Sequence, residues 1–319
     1  MLMLLAPDAG VGLGQALADT SLLDSEIVAG LASVVMGVNA QVGSLPFVRL
    51  QLMLAPALEA CRRLMADEPP EPVRESLRCT LVEAAMLAGR LAFETRDDAA
   101  SQALYEEATR EAACLGQPWR QASVHLSHAL TVLYASPDIA NADALVEKAV
   151  RAASRGESRL VRARAHALQA EVAARSGQSR QSGAALGLAW YDVERQSPDD
   201  PLPGAFSAEY LRGFEGVCQM SWAIRPSRTI SLRPRSALSH PLAKRWSVIV
   251  TTDQALARIR LSEPHAAADL LHECITAAAS TGGRVSMIRL RRARQALRPW
   301  RREDFVADLD DHLMDVLGR

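Results

Sequence analysis

His125 and His128 stand three apart in a stretch of helical period, so their imidazoles can share one helix face and a metal ion. Zinc needs three or four ligands, and no Cys, Asp or Glu at ligand spacing completes this pair. The sequence therefore assigns no metal and reads both as helix-surface or groove histidines. His240, His265, His272 and His312 are scattered and are assigned no role. Gly10, Gly12 and Gly14 alternate as in a phosphate loop, but no strand precedes them and no Lys-Ser/Thr follows. Neither GxSxG, HExxH nor GxxxxGK[ST] occurs. Without a converging acid–base, nucleophile or metal set, the expectation is a non-enzymatic protein with no cofactor.

The strongest charge feature is an acid-free run holding Arg284, Arg289, Arg291, Arg292, Arg294, Arg298, Arg301 and Arg302. Guanidinium groups at that density suit phosphate, and Arg289, Arg291, Arg292 and Arg294 are the candidate basic patch. Glu303, Asp304, Asp308, Asp310, Asp311 and Asp315 follow at once, so the other reading pairs two helices charge against charge. A second acid-free stretch, 225–245, could join the patch as a face for an acidic partner. Trp190, Tyr191, Tyr210 and Trp222 gather around a proline-bearing loop, either as an aromatic ligand pocket or as core packing at an imperfect joint.

Composition narrows what must position these groups. Of 319 residues 49% are hydrophobic and only 4% aromatic, a core of Ala, Leu and Val that favours close-packed helices. The formal net charge of −1 leaves no global field to recruit nucleic acid or an anionic membrane. Cys61, Cys79, Cys114, Cys218 and Cys274 are odd in number, far apart and without a CxxC, as reduced thiols in a cytoplasmic protein would be. No run of 18 apolar residues predicts a membrane span.

The pattern is organised around residues 73–116. There Leu77, Leu81, Ala84, Ala88 and Leu91 form one helical stripe, and Ala100, Leu104, Ala108, Ala112 and Leu115 another, joined at Arg96-Asp97. Gly89, Ser101, Tyr105 and Ala108 of this hairpin return 81 residues on as Ala170, Ser182, Leu186 and Ala189. They return again 166 residues on as Ala255, Ala267, Leu271 and Cys274. Ala142, Val146 and Ala149 fit an offset of 41, so the period is about 40 residues. The division expected is a loosely ordered, flexible stretch at 1–18 and a helical pair at 19–72. Repeats follow at 73–283, irregular at 197–242, and capping helices at 284–319. A helix at 47–65 carries Pro56 as a kink. In the worn unit, helices are expected at 208–223 and 226–238.

Small–small–large–small at this spacing resembles the tetratricopeptide (TPR) hairpin, lengthened from its usual period of about 34. Leu17-Ala-Asp-Thr-Ser-Leu-Leu-Asp24, Leu87-Ala-Gly-Arg-Leu-Ala-Phe93, Ala278-Ala-Ser-Thr-Gly282, Arg289-Leu-Arg-Arg-Ala-Arg294 and Pro299-Trp-Arg301 carry the likeness further. Together they resemble the carboxy-terminal region of actinobacterial Xre-type helix-turn-helix transcriptional regulators. The likeness spans residues 17–317 and implies an all-α right-handed superhelix, an α-solenoid of TPR-like hairpins. Family members carry a helix-turn-helix domain ahead of this region. No such segment precedes Asp19, so a DNA-binding domain is expected to be missing here, lost, encoded upstream or carried on another polypeptide. In a TPR stack the first helix of each hairpin lines the concave face, which places Glu83, Arg90, Arg164 and Glu171 in the groove. The resemblance implies a sensing or protein-interaction module of a transcriptional regulator. Its partners would be a protein, a peptide or a small-molecule effector, with self-association as a homodimer and no membrane. A stand-alone adaptor without a DNA role is the alternative, and a helical enzyme with an unrecognised site a third.

Overall fold

The computed structural model describes residues 7–71, 73–135, 139–204, 206–222 and 241–317. The helices are α1 (Pro7–Ala18), α2 (Ser25–Ala40), α3 (Phe47–Ala66), α4 (Val73–Glu94), α5 (Asp98–Cys114), α6 (Pro118–Ala135) and α7 (Ala140–Arg155). They continue as α8 (Arg159–Arg175), α9 (Ser179–Glu194), α10 (Ala208–Trp222), α11 (Pro241–Arg260), α12 (Pro264–Thr281), α13 (Arg284–Ala296) and α14 (Asp304–Leu317). Among the described residues the only β feature is an isolated bridge between Val42 and Leu45, so the chain is all-α. No helix among them is long and apolar enough to cross a membrane.

Local chemistry starts and stops these helices. The Asp97 carboxylate accepts from the Ala100 amide at the head of α5, and the Ser158 hydroxyl from the Val161 amide at the head of α8. Asp24 does the same for Ile27 beneath α2. One expectation is corrected. The glycine-bearing segment expected to be loose forms α1 from residue 7, with Leu13 and Ala16 buried. Its two apolar side chains three apart are enough to seat a short helix. Pro56 lies inside α3, which runs on through it to Ala66.

The hairpin joint recurs. Arg96, Gly177 and Ser262 adopt φ of 69°, 76° and 62°, and they are separated by the offsets of 81 and 166 read from the side chains. One residue on, the amides of Asp97, Gln178 and Glu263 donate to Ala92, Ala173 and Arg258 at 2.8–2.9 Å, a left-handed helix stop repeated three times. Inside the hairpin, the Ser101 hydroxyl donates to the Gly89 carbonyl and the Ser182 hydroxyl to the Ala170 carbonyl, each at 2.7 Å. Gly116 and Gly282 close the second helices of two copies with φ of 64° and 66°.

Two compact units emerge from the packing. One holds residues 1–39, 51–93 and 97–224; the other holds 40–50, 94–96 and 225–319. In the first, α8 is the centre: it packs on α6, α7, α9 and α10, and 12 of its 17 residues are buried, half of them Ala. In the second, Ala255, Leu271, Cys274, Ile275, Leu290, Val306 and Leu309 build the core. Chain segments distant in sequence complete that unit. The buried Glu94 carboxylate accepts from the Val285 amide in the first turn of α13 at 3.1 Å. Beside it Gly283 lies so close to Phe47 that a Cβ would fall 2.6 Å from the ring. The first helix of the worn unit is α10, and the expected helix at 226–238 lies outside the described residues.

Candidate functional site

The four charges assigned to the groove fall on α4 and α8. Glu83 binds Arg120 of α6 at 2.8 Å. Glu171 is buried and forms an ion pair with Arg175, whose guanidinium also lies 5.0 Å from the Tyr134 ring centroid. The first pair ties α4 to α6, and the second lies within α8. Arg90 is half-buried on α4. Arg164 is half-buried on α8. Burial draws its pKa down, while the neighbouring phenols of Tyr105 and Tyr210 pull it back up. Tyr105 is itself fully buried, hydrogen-bonded through its hydroxyl to Ser127 at 2.8 Å and stacked on His128 at 4.6 Å.

Of the aromatic group, Trp190 donates from Nε1 to Glu215 of α10 at 2.7 Å. Tyr210 stacks on Phe206 at 6.2 Å. Tyr191, one position on from Trp190, is 52% exposed with Arg195 over its ring. Trp222 ends α10, and its side chain lies outside the described residues. An open cleft of about 400 Å³ does occur at the proline loop, lined by Leu160, Gln196, Ser197, Pro198, Pro203 and Gly204. Trp190, Tyr191 and Tyr210 are not among its walls. The loop is fastened by buried Asp200, which accepts from the Ser158 hydroxyl at 2.7 Å and from the amides of Leu160 and Leu202.

The basic patch separates into two halves. Arg289 is buried and paired with Asp253 of α11 at 2.7 Å, and Arg294 is paired with Asp310 of α14. Only Arg291 and Arg292 of the four named residues face solvent, as do Arg298, Arg301 and Arg302 beyond them. Arg294 thus meets one of the acids that follow the run, whereas the partner of Arg289 comes from α11, outside that acidic segment. The second basic stretch, 225–245, lies outside what is described, apart from the helical backbone of 241–245.

His125 and His128 are half-buried on α6, and burial lowers both pKa values, that of His125 to about 4. Three or more His, Cys, Asp or Glu side chains grouped to hold a metal are not found among the described residues. Cys61, Cys218 and Cys274 are buried thiols that desolvation pushes up to about 12, whereas Cys114 is exposed. One pair escaped the sequence reading altogether: His272 of α12 and His312 of α14 meet Nδ1 to Nδ1 at 2.7 Å. They are 40 residues apart, one repeat period, and that was the available signal. No family model matches this chain, and neither a curated protein nor a solved structure matches it.

Proposed function

We propose that this chain is a non-enzymatic, TPR-like sensing or interaction module of a transcriptional regulator, which takes a peptide, small ligand or partner protein along its first helices. The observation that supports this reading is the hairpin joint repeated at Arg96, Gly177 and Ser262 with the same amide-to-carbonyl closure. Stacked hairpins bury their cores against neighbours and leave one row of helices to bind. Arg164 supplies a charge on that row: a partly desolvated guanidinium favours an anionic group on the ligand. A second reading, an adaptor with no DNA role, draws support from Arg289 and Arg294, whose charges are met internally by Asp253 and Asp310.

The experiment that separates them is a mobility shift of the full chain on promoter DNA of its own gene neighbourhood at two salt concentrations. The expected outcome is no shift, or one lost with modest salt whatever the sequence. A sequence-dependent, salt-tolerant shift would make the chain a DNA reader and turn attention to Arg291, Arg292, Arg298, Arg301 and Arg302. The regulatory reading fails outright if deletion of the gene changes no transcript and pull-down finds no partner.

A further inference from the structure

His272 and His312 come from two packed helices, their rings stacked at 5.0 Å between centroids and 16° between planes. Seven residues earlier on each helix, His265 and Phe305 make a matching ring pair at 4.1 Å. Helices α12 and α14 therefore run parallel and in register, and each imidazole is carried on a fixed support. At 2.7 Å the two Nδ1 atoms stand together only if one carries hydrogen and donates to the other. When both present lone pairs, they repel unless a cation sits between them. Two converging imidazole nitrogens on rigid helices are a seat for a divalent d-block ion, for which imidazole is a preferred ligand.

Carboxylates flank the seat on both helices. Asp269 lies three residues before His272 and Asp308 four before His312, both exposed and each one turn from its histidine on the same face. As the chain stands, no third ligand closes the set among the described residues. The seat is open, and a carboxylate swung in by side-chain rotation, or water, would complete it.

We propose that His272 and His312, helped by the carboxylate of Asp308 or Asp269, bind a divalent transition-metal ion of the zinc type and fasten α14 to α12. Two Zn–N bonds of about 2.0–2.1 Å at a tetrahedral angle need nitrogens roughly 3.3 Å apart. The pair must open by some tenths of an ångström, within reach of half-buried side chains. The donor ring gives up its Nδ1 proton and takes one at Nε2, so both rings stay neutral.

The test is calorimetric titration of the chelator-treated full chain with zinc chloride, paired with the visible spectrum of a cobalt(II) complex. One ion per chain, micromolar affinity and a tetrahedral cobalt band are expected. His272→Gln and His312→Gln should each weaken binding at least about tenfold. Asp308→Asn or Asp269→Asn should weaken it less, and Cys114→Ser and His125→Gln should leave it unchanged. Zinc should raise the melting temperature of the wild type and not of His312→Gln; both melt cooperatively without metal if the substitution spares the fold, and His312→Asn serves if it does not. No saturable uptake by the wild type, or uptake that survives loss of either histidine, overturns the proposal.

Discussion

Arg289 and Arg291 are two residues apart in one basic run, and the fold treats them oppositely. Arg289 turns inward to Asp253, both side chains at most 13% exposed, while Arg291 meets water. Breaking a buried ion pair leaves a charge without its partner, so Arg289→Ala should cost about 3–5 kcal/mol, against within about 0.5 kcal/mol for Arg291→Ala. Urea unfolding midpoints of the two variants decide it. The run of arginines was legible, but its division was not, because sidedness on α13 depends on which carboxylate stands across from it. His125 argues similarly about pH. Its buried Nδ1 has no hydrogen-bond partner among the described residues, and burial, helped by Lys148 and then His128, holds its pKa at about 4. The unfolded chain takes up that proton near pH 6.5, so between about 6.5 and 4 it binds more protons than the folded one. Stability therefore falls as pH is lowered through that window. His125→Leu should flatten this limb in urea midpoints measured from pH 7 to 5, leaving the smaller slope expected from His128, whose pKa burial also lowers.

At the scale of the element, the hairpin joint is the most readable part of the molecule. Offsets of 81 and 166 came from a small–small–large–small set of side chains, and backbone angles neither offset was built on fall on the same register. The copies were legible because close helix approach demands a small side chain and a tight reversal demands a left-handed residue, wherever the hairpin stands. Yet Arg96 and Ser262 fill positions that glycine prefers, and a side chain there costs about 1 kcal/mol or more. Arg96→Gly and Ser262→Gly should each gain about 0.5–1 kcal/mol, and Gly177→Ala should lose about 1 kcal/mol. Thermal melts of the three variants check the sign. The short α1 was illegible for the opposite reason: its glycines weaken the helical signal, and burial of Leu13 and Ala16 supplies what propensity does not.

At the scale of the whole molecule, several long-range ties among the described residues join positions about one repeat apart. Glu83–Arg120, Ser158–Asp200, Asp253–Arg289, His265–Phe305 and His272–His312 lie 36 to 42 residues from each other. A repeat period thus announces which side chains will meet as well as how helices stack, and the histidine and aspartate partners could have been sought that way. A far longer tie among the described residues is the segment at Phe47 and Glu94, which belongs with Gly283 and Val285, a separation of 191 residues for the carboxylate and amide. No period reveals it. It also sets an order on a ribosome. Ties one repeat long can form within roughly 2–8 s of synthesis at about 5–20 residues per second. Phe47 waits roughly 10–50 s for the glycine that will lie against it. For that interval the nascent chain holds an apolar ring without its final cover, and the second unit is the part of this protein that a chaperone would meet half-made.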